Sequence, residues 1–199
     1  MHLGVLNPEA GNHAMAADPA ELAAGALADA RSFEEFPYYA IRFGERGRRF
    51  GSSDTAWLIT LCDRTAESAL QQAAWLGVVL SSRGMPQYLL ECHLRNLHAA
   101  LVDAMPERKP RYAVLASASR RFAKTRRSQF TDADFQRLAA SFEPFPCFGH
   151  VLVSAVADEA LGIENAVPSL QTWLATTEWN DAALAVIAAA RARLQSAGP

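Results

Sequence analysis

The apolar positions of this chain repeat at helical spacing over most of its length. Leu90, Leu94, Leu97 and Leu101 fall at i, i+4, i+7 and i+11, a seam for packing one helix on another. Pro86 opens that element, which runs to about Met105. Asp18-Pro19-Ala20-Glu21 reads as an earlier helix start. Asp18 caps, Pro19 suits the first helical position and Glu21 reaches back as in a capping box, with Pro37 stopping the helix near Phe36. Thr65 caps a helix whose run from Ala73 to Leu80 is apolar on every side, which predicts a central element covered by its neighbours. Tyr112, Leu115, Ala118 and Phe122 share a face further on, and Thr131 with Asp134 caps a helix bearing Phe135, Leu138 and Phe142. Beyond the rigid break at 144–149, helices are expected over His150–Leu161, near Pro168–Leu174 and from about Glu178 to Gln195. The last should turn Leu184, Ile187, Arg191 and Leu194 to one side.

One stretch reads two ways. Tyr39, Ile41 and Phe43 alternate with Ala40 and Arg42, which fits a short hairpin turning at Gly44–Gly47. A short helix ending at Gly44 followed by a loop fits as well, and is preferred because an isolated two-stranded hairpin is marginal. Ser52 or Ser53 then caps the next helix. The expected fold is all-α, a single-domain bundle of roughly eight or nine helices, with a short hairpin near residues 38–50 as the alternative. Residues 1–17 are expected to be poorly ordered, 18–143 to form the main bundle and 144–199 a C-terminal helical section packed on it.

Composition supports this picture. Half the residues are apolar and alanine, the best helix former, occurs 39 times. Three scattered cysteines with no CxxC pair point to a reducing compartment, hence the cytoplasm. The first seventeen residues hold no Lys or Arg and no long apolar core, so no secretory signal is expected. The longest uncharged helical stretch, Ser68–Ser82, is too short to span a bilayer, so no membrane association is expected.

Charge changes the picture more. The net charge of −2 conceals a segregated distribution. Residues 1–41 carry one basic and six acidic side chains, 42–127 fifteen and seven, and 128–199 three and eight. Seventeen of the nineteen basic residues are arginine, which forks onto carboxylates where lysine acts as a point charge. Arg42, Arg46, Arg48 and Arg49 surround three glycines ahead of the expected cap, and Arg120, Arg121 and Lys124 lie in a second basic stretch, 108–127. The glycine spacing lacks the Gly-Lys-Ser/Thr ending of a phosphate loop. No nucleic-acid motif accompanies the arginines and the pI is near 6.2, which points away from nucleic acid.

Catalytic signatures are absent from the sequence. It has no Gly-x-Ser-x-Gly elbow, no HExxH and no Glu-x-x-His, so no catalytic residue, metal or cofactor is assigned. His93, between Leu89 and Leu97, sits at the edge of a packed face, where an imidazole commonly bonds a neighbour. The expectation is a regulatory or interaction protein, homo-oligomeric, whose arginine-rich surface engages an acidic protein or the chain's own acidic termini. The alternative is a small-ligand sensor or enzyme, haem being one candidate ligand, with a pocket in the bundle near His93 and Trp75.

Overall fold

The computed structural model describes residues 14–145 and 147–196. Nine α-helices and two 3-10 turns make up its regular structure, with no strand among the described residues. The helices are α1 (Pro19–Glu35), α2 (Tyr38–Thr60), α3 (Ala66–Ser81), α4 (Gln87–Ala104), α5 (Lys109–Arg127), α6 (Asp132–Ala139), α7 (Phe148–Ala160), α8 (Ala166–Leu174) and α9 (Asn180–Ser196). The all-α expectation therefore holds. None of these helices is long and apolar enough to cross a membrane. The N-terminal segment 1–17 lies mostly outside the described residues. Of its last four residues, Ala16 donates its amide to the Ala56 carbonyl at 3.0 Å.

The chain forms two compact units. The first contains residues up to 73 together with 92–119, and the second contains 74–91 together with 120–199. Helices α3, α4 and α5 contribute residues to both.

In the first unit α1 starts as its sequence dictates. Asp18 accepts a hydrogen bond from the Ala20 amide at 2.9 Å, and Pro19 occupies the first turn. Glu21 is turned inward instead of back towards the cap. It is buried, paired with Arg111, and accepts the Tyr112 hydroxyl at 2.9 Å. Arg111 also forks onto Asp63 at 2.7 and 2.8 Å, and Arg108 reaches Asp18 at 2.6 Å. Leu94, Leu97 and Leu101 form the buried seam read from their spacing.

The preferred short helix up to Gly44 is present, but neither the hairpin at 38–50 nor the loop after Gly44 is. The segment is helical and continues into α2, with one kink at Gly44 (φ 52°, ψ −145°), a backbone state suited to glycine. Ser52 and Ser53 consequently lie in a helix interior and cap nothing. The alternation of Tyr39, Ile41 and Phe43 misled because Tyr39 stacks on Phe33 of α1 while Ile41 is exposed, an arrangement a helix satisfies.

In the second unit α7 is the enclosed element. Every residue from Val151 to Asp158 is buried, and α6, α8 and α9 pack around it. This corrects the expectation that α3 would be central: on that helix Trp75 is 57% exposed and Val78 is exposed. Helices α6 and α7 cross so closely that a Cβ at Gly149 would stand 1.9 Å from the Ala139 carbonyl oxygen. On α9 the buried residues are Ala183, Val186, Ile187 and Ala190, while the expected Leu184 is exposed.

Helix α4 begins without a capping side chain of its own, because Met85 and Pro86 precede it. Its first amides are satisfied by α7: Gln87 N–H donates to Asp158 Oδ2 at 2.8 Å and Tyr88 N–H to Ser154 Oγ at 3.3 Å. The Ser81 hydroxyl donates to the same Asp158 oxygen at 2.6 Å. Burial pushes the Asp158 carboxyl up to about 7, against the pull of those two donors. Nearby, Arg126 lies over the Phe135 ring at 4.4 Å and is paired with Glu91, a half-hidden ion pair flanked by Tyr88. The segment leading to α7 places Phe145 between Phe148 and Trp179, and Cys147 adopts a left-handed conformation; Pro146 lies outside the described residues. All three cysteines are free thiols.

Candidate functional site

Many of the arginines are paired with carboxylates of the same chain. In the first unit Arg95 meets Glu35, and Arg108 and Arg111 meet Asp18, Glu21 and Asp63. In the second, Arg126 and Arg127 meet Glu91 and Asp132, Arg137 and Arg193 meet Asp134, and Arg191 meets Glu159. The guanidiniums of Arg127 and Arg126 hold the Asp132 carboxyl below its ordinary value. Asp134, held by Arg193 and Arg137, lies far below the usual carboxylate range.

A further cluster of arginines stands on α2. Arg46 and Arg48 are exposed and lie over aromatic rings, Arg46 over Phe50 at 5.5 Å and Arg48 over Phe33 of α1 at 4.6 Å. Arg42 lies over Phe43 at 5.0 Å and donates to the Tyr38 hydroxyl at 2.6 Å. Arg49 is exposed, and neither it nor Arg48 makes an ion pair among the described residues. Beyond the kink at Gly44, Arg46 and Arg49 recur at i and i+3, while Arg48 turns towards Phe33 of α1. An aromatic face under a guanidinium holds its plane while leaving the N–H edge open to solvent.

Arg120, Arg121 and Lys124 are also exposed, on the α5 segment that belongs to the second unit. The α2 arginines belong to the first. The basic stretch 108–127 is itself divided, with Arg108 and Arg111 in the first unit and Arg120, Arg121 and Lys124 in the second.

His93 occupies a different kind of site, the polar centre of the first unit. It projects from α4 between α1 and α2. Ser32 Oγ lies 3.0 Å from its Nδ1 and Thr55 Oγ1 lies 2.9 Å from its Nε2. Thr55 donates to Asp29 Oδ1 at 2.5 Å, and Asn96 donates to both Ser32 and Glu35. Proton positions follow from these partners. The Asp29 carboxylate can only accept, so the Thr55 proton points to it and the Thr55 oxygen must accept from His93. Nε2 therefore carries the ring proton, Nδ1 accepts, and Ser32 donates. Burial pushes the imidazole below its ordinary value, with the Asp29 carboxylate 3.9 Å away pulling in the opposite direction.

This relay resembles a nucleophile with its base, but Ser32 is only 3% exposed, so no substrate can reach its hydroxyl in this state. Iron ligation would require Nε2 or Nδ1 to give up its hydroxyl partner. Trp75, the other residue expected near a pocket, belongs to the second unit. Among the described residues no group of three or more His, Cys, Asp or Glu side chains is placed to hold a metal ion.

Sequence reasoning singled out His93 and the α2 arginines. It missed Asp29, Ser32 and Thr55, whose partners lie tens of residues away, and the only local hint was that all three fall on the inward faces of their helices. Comparison with protein-family models, curated proteins and solved structures finds no match to this chain.

Proposed function

We propose that this protein is a helical interaction protein that engages an acidic partner through the arginine face of α2. The observation carrying this reading is the sorting of the arginines. Those at 108, 111, 126 and 127 are committed to carboxylates of the same chain, whereas Arg48 and Arg49 are exposed and make no ion pair among the described residues, Arg48 being laid on the Phe33 ring. Stacking restrains a long side chain before binding, so less freedom is lost when a carboxylate docks. A guanidinium edge also matches a carboxylate in a bidentate geometry that lysine cannot offer. A second copy of the chain is one such partner, since its residues 128–199 are predominantly acidic. Three free thiols suit action in a reducing compartment such as the cytoplasm.

Fluorescence anisotropy with a labelled poly-aspartate peptide tests the reading. Binding should weaken steeply with added salt and vanish in the triple variant R46E/R48E/R49E, while R120E/R121E retains it. Equal binding by the triple variant and the wild type would remove the α2 face from consideration.

A further inference from the structure

Histidine 93 is placed to do more than fill space. Its two ring nitrogens tie together three helices: Nδ1 holds Ser32 of α1, and Nε2 holds Thr55 of α2. The α2 arginine face is built on the same two helices. Phe33, which supports Arg48, is the residue after Ser32, and Thr55 lies two turns beyond Arg48 on α2. Whatever fixes the packing of α1 on α2 therefore also fixes the platform on which Arg48 rests. The two helices are already tight here, since a Cβ at Gly25 would stand 3.1 Å from Thr55 Cγ2.

We propose that His93 is a proton-operated latch, closed while the ring is neutral, whose protonation loosens α1 from α2 and α4 and so weakens the arginine face. The regulatory half of this proposal rests on the function assigned above to that face. With the ring neutral, every hydrogen bond from Asn96 through Ser32, His93 and Thr55 to Asp29 runs donor to acceptor in one consistent direction. An added proton makes Nδ1 a donor. Ser32 must then turn its own proton away, and its oxygen faces two N–H donors, from His93 and Asn96.

The imidazolium is also enclosed. The charged and titratable groups around it are Asp29 and Glu35 from α1, Tyr39 from α2, and Cys92 and Arg95 from α4. Only Asp29 directly favours a positive ring, and its Oδ1 already accepts from Thr55. Glu35 is engaged by Arg95 and Asn96. Tyr39, itself buried, ionises far above neutrality and stays uncharged. Burial outweighs the attraction of Asp29, so the neutral ring is the one the fold prefers.

Amide hydrogen exchange at about pH 7.5 and about pH 5.5, corrected for intrinsic rates, tests the latch without any partner. Peptides covering 28–36 and 50–58 should exchange faster at the lower pH in the wild type, by at most about tenfold per pH unit. His93→Gln, which keeps a neutral donor and acceptor, should abolish that response. Poly-aspartate, whose side chains remain ionised at about pH 5.5, should bind the wild type more weakly there and bind His93→Gln equally at both pH values. Exchange that is unchanged with pH, or that changes equally in the variant, overturns the latch. Exchange behaving as expected with pH-independent poly-aspartate binding overturns its control of the arginine face. Absence of poly-aspartate binding at either pH overturns the interaction reading itself, and exchange then still decides the latch. Should His93→Gln fail to fold, the wild-type imidazole can be titrated by NMR. Protonation at or above the ordinary histidine value would overturn the proposal, and protonation below it with concurrent loss of α1 and α2 amide protection would support it.

Discussion

Replacing Asp158 with asparagine isolates one buried carboxyl and the energy its ionisation costs. The side chain lies 2% exposed on α7, where Oδ2 accepts from Ser81 Oγ and from the first amide of α4. Asparagine keeps an acceptor oxygen for both donors and removes the charge. In the folded chain the carboxyl is pushed up to about 7 by burial, against 3.8 when free. The proton is thus held more tightly by the folded state. Stability from this group is complete below the unfolded value, declines as pH rises through the interval, and is lost above the folded value. The gap of about three pH units at about 1.4 kcal/mol each gives about 4 kcal/mol across the interval. Urea unfolding followed by circular dichroism at about pH 5 and about pH 8 measures it. His93 contributes a slope of the opposite sign, since burial lowers its pKa and its stability is lost on acidification below 6.5. The quantity to compare is therefore wild type minus Asp158→Asn at each pH. That difference should move by a few kcal/mol in favour of the variant between the two conditions. A difference that stays constant with pH would refute the assignment of a buried, proton-binding carboxyl.

Two further outcomes follow from local geometry. Gly149→Ala places a methyl group against the Ala139 backbone, which cannot rotate away, so it should destabilise the chain by about 3 kcal/mol, read as a lowered thermal midpoint. Burial pushes the Cys62 thiol up to about 12 from 9.0, so its thiolate fraction at mildly alkaline pH falls about a thousandfold, and iodoacetamide should label native Cys62 far more slowly than the unfolded chain.

Features governed by neighbours in sequence were legible, and features governed by distant partners were not. The Asp18-Pro19 start, the Thr131–Asp134 cap and the leucine seam of α4 each depend on residues within a few turns, and all three are present. The enclosed helix was misassigned because α3 and α7 are both apolar on several sides. Only the positions of other helices decide that α7 is covered while Trp75 and Val78 of α3 face outward. Ser52 and Ser53 looked like caps because Gly47 and Gly51 precede them, yet one glycine kink at residue 44 let the helix continue through both. Arginine-rich composition drew notice to α2. It could not separate Arg48 from Arg111, because what distinguishes them is Asp63, Glu21 and Phe33, remote from one or the other along the chain. Beyond lying on inward helix faces, Ser32 and Thr55 carried no signal, since a hydroxyl on a helix is ordinary until a histidine meets it.

The capping of α4 by α7 also sets an order of events during synthesis. The amides of Gln87 and Tyr88 leave the ribosome well before their acceptors, which lie 71 and 66 residues further along. Until those arrive, the nascent helix must begin with its leading N–H groups held by water and is free to fray from that end. Ser81, on the preceding turn, waits 77 residues for the same carboxylate. A translation pause placed before residue 154 would leave the start of α4 without these acceptors.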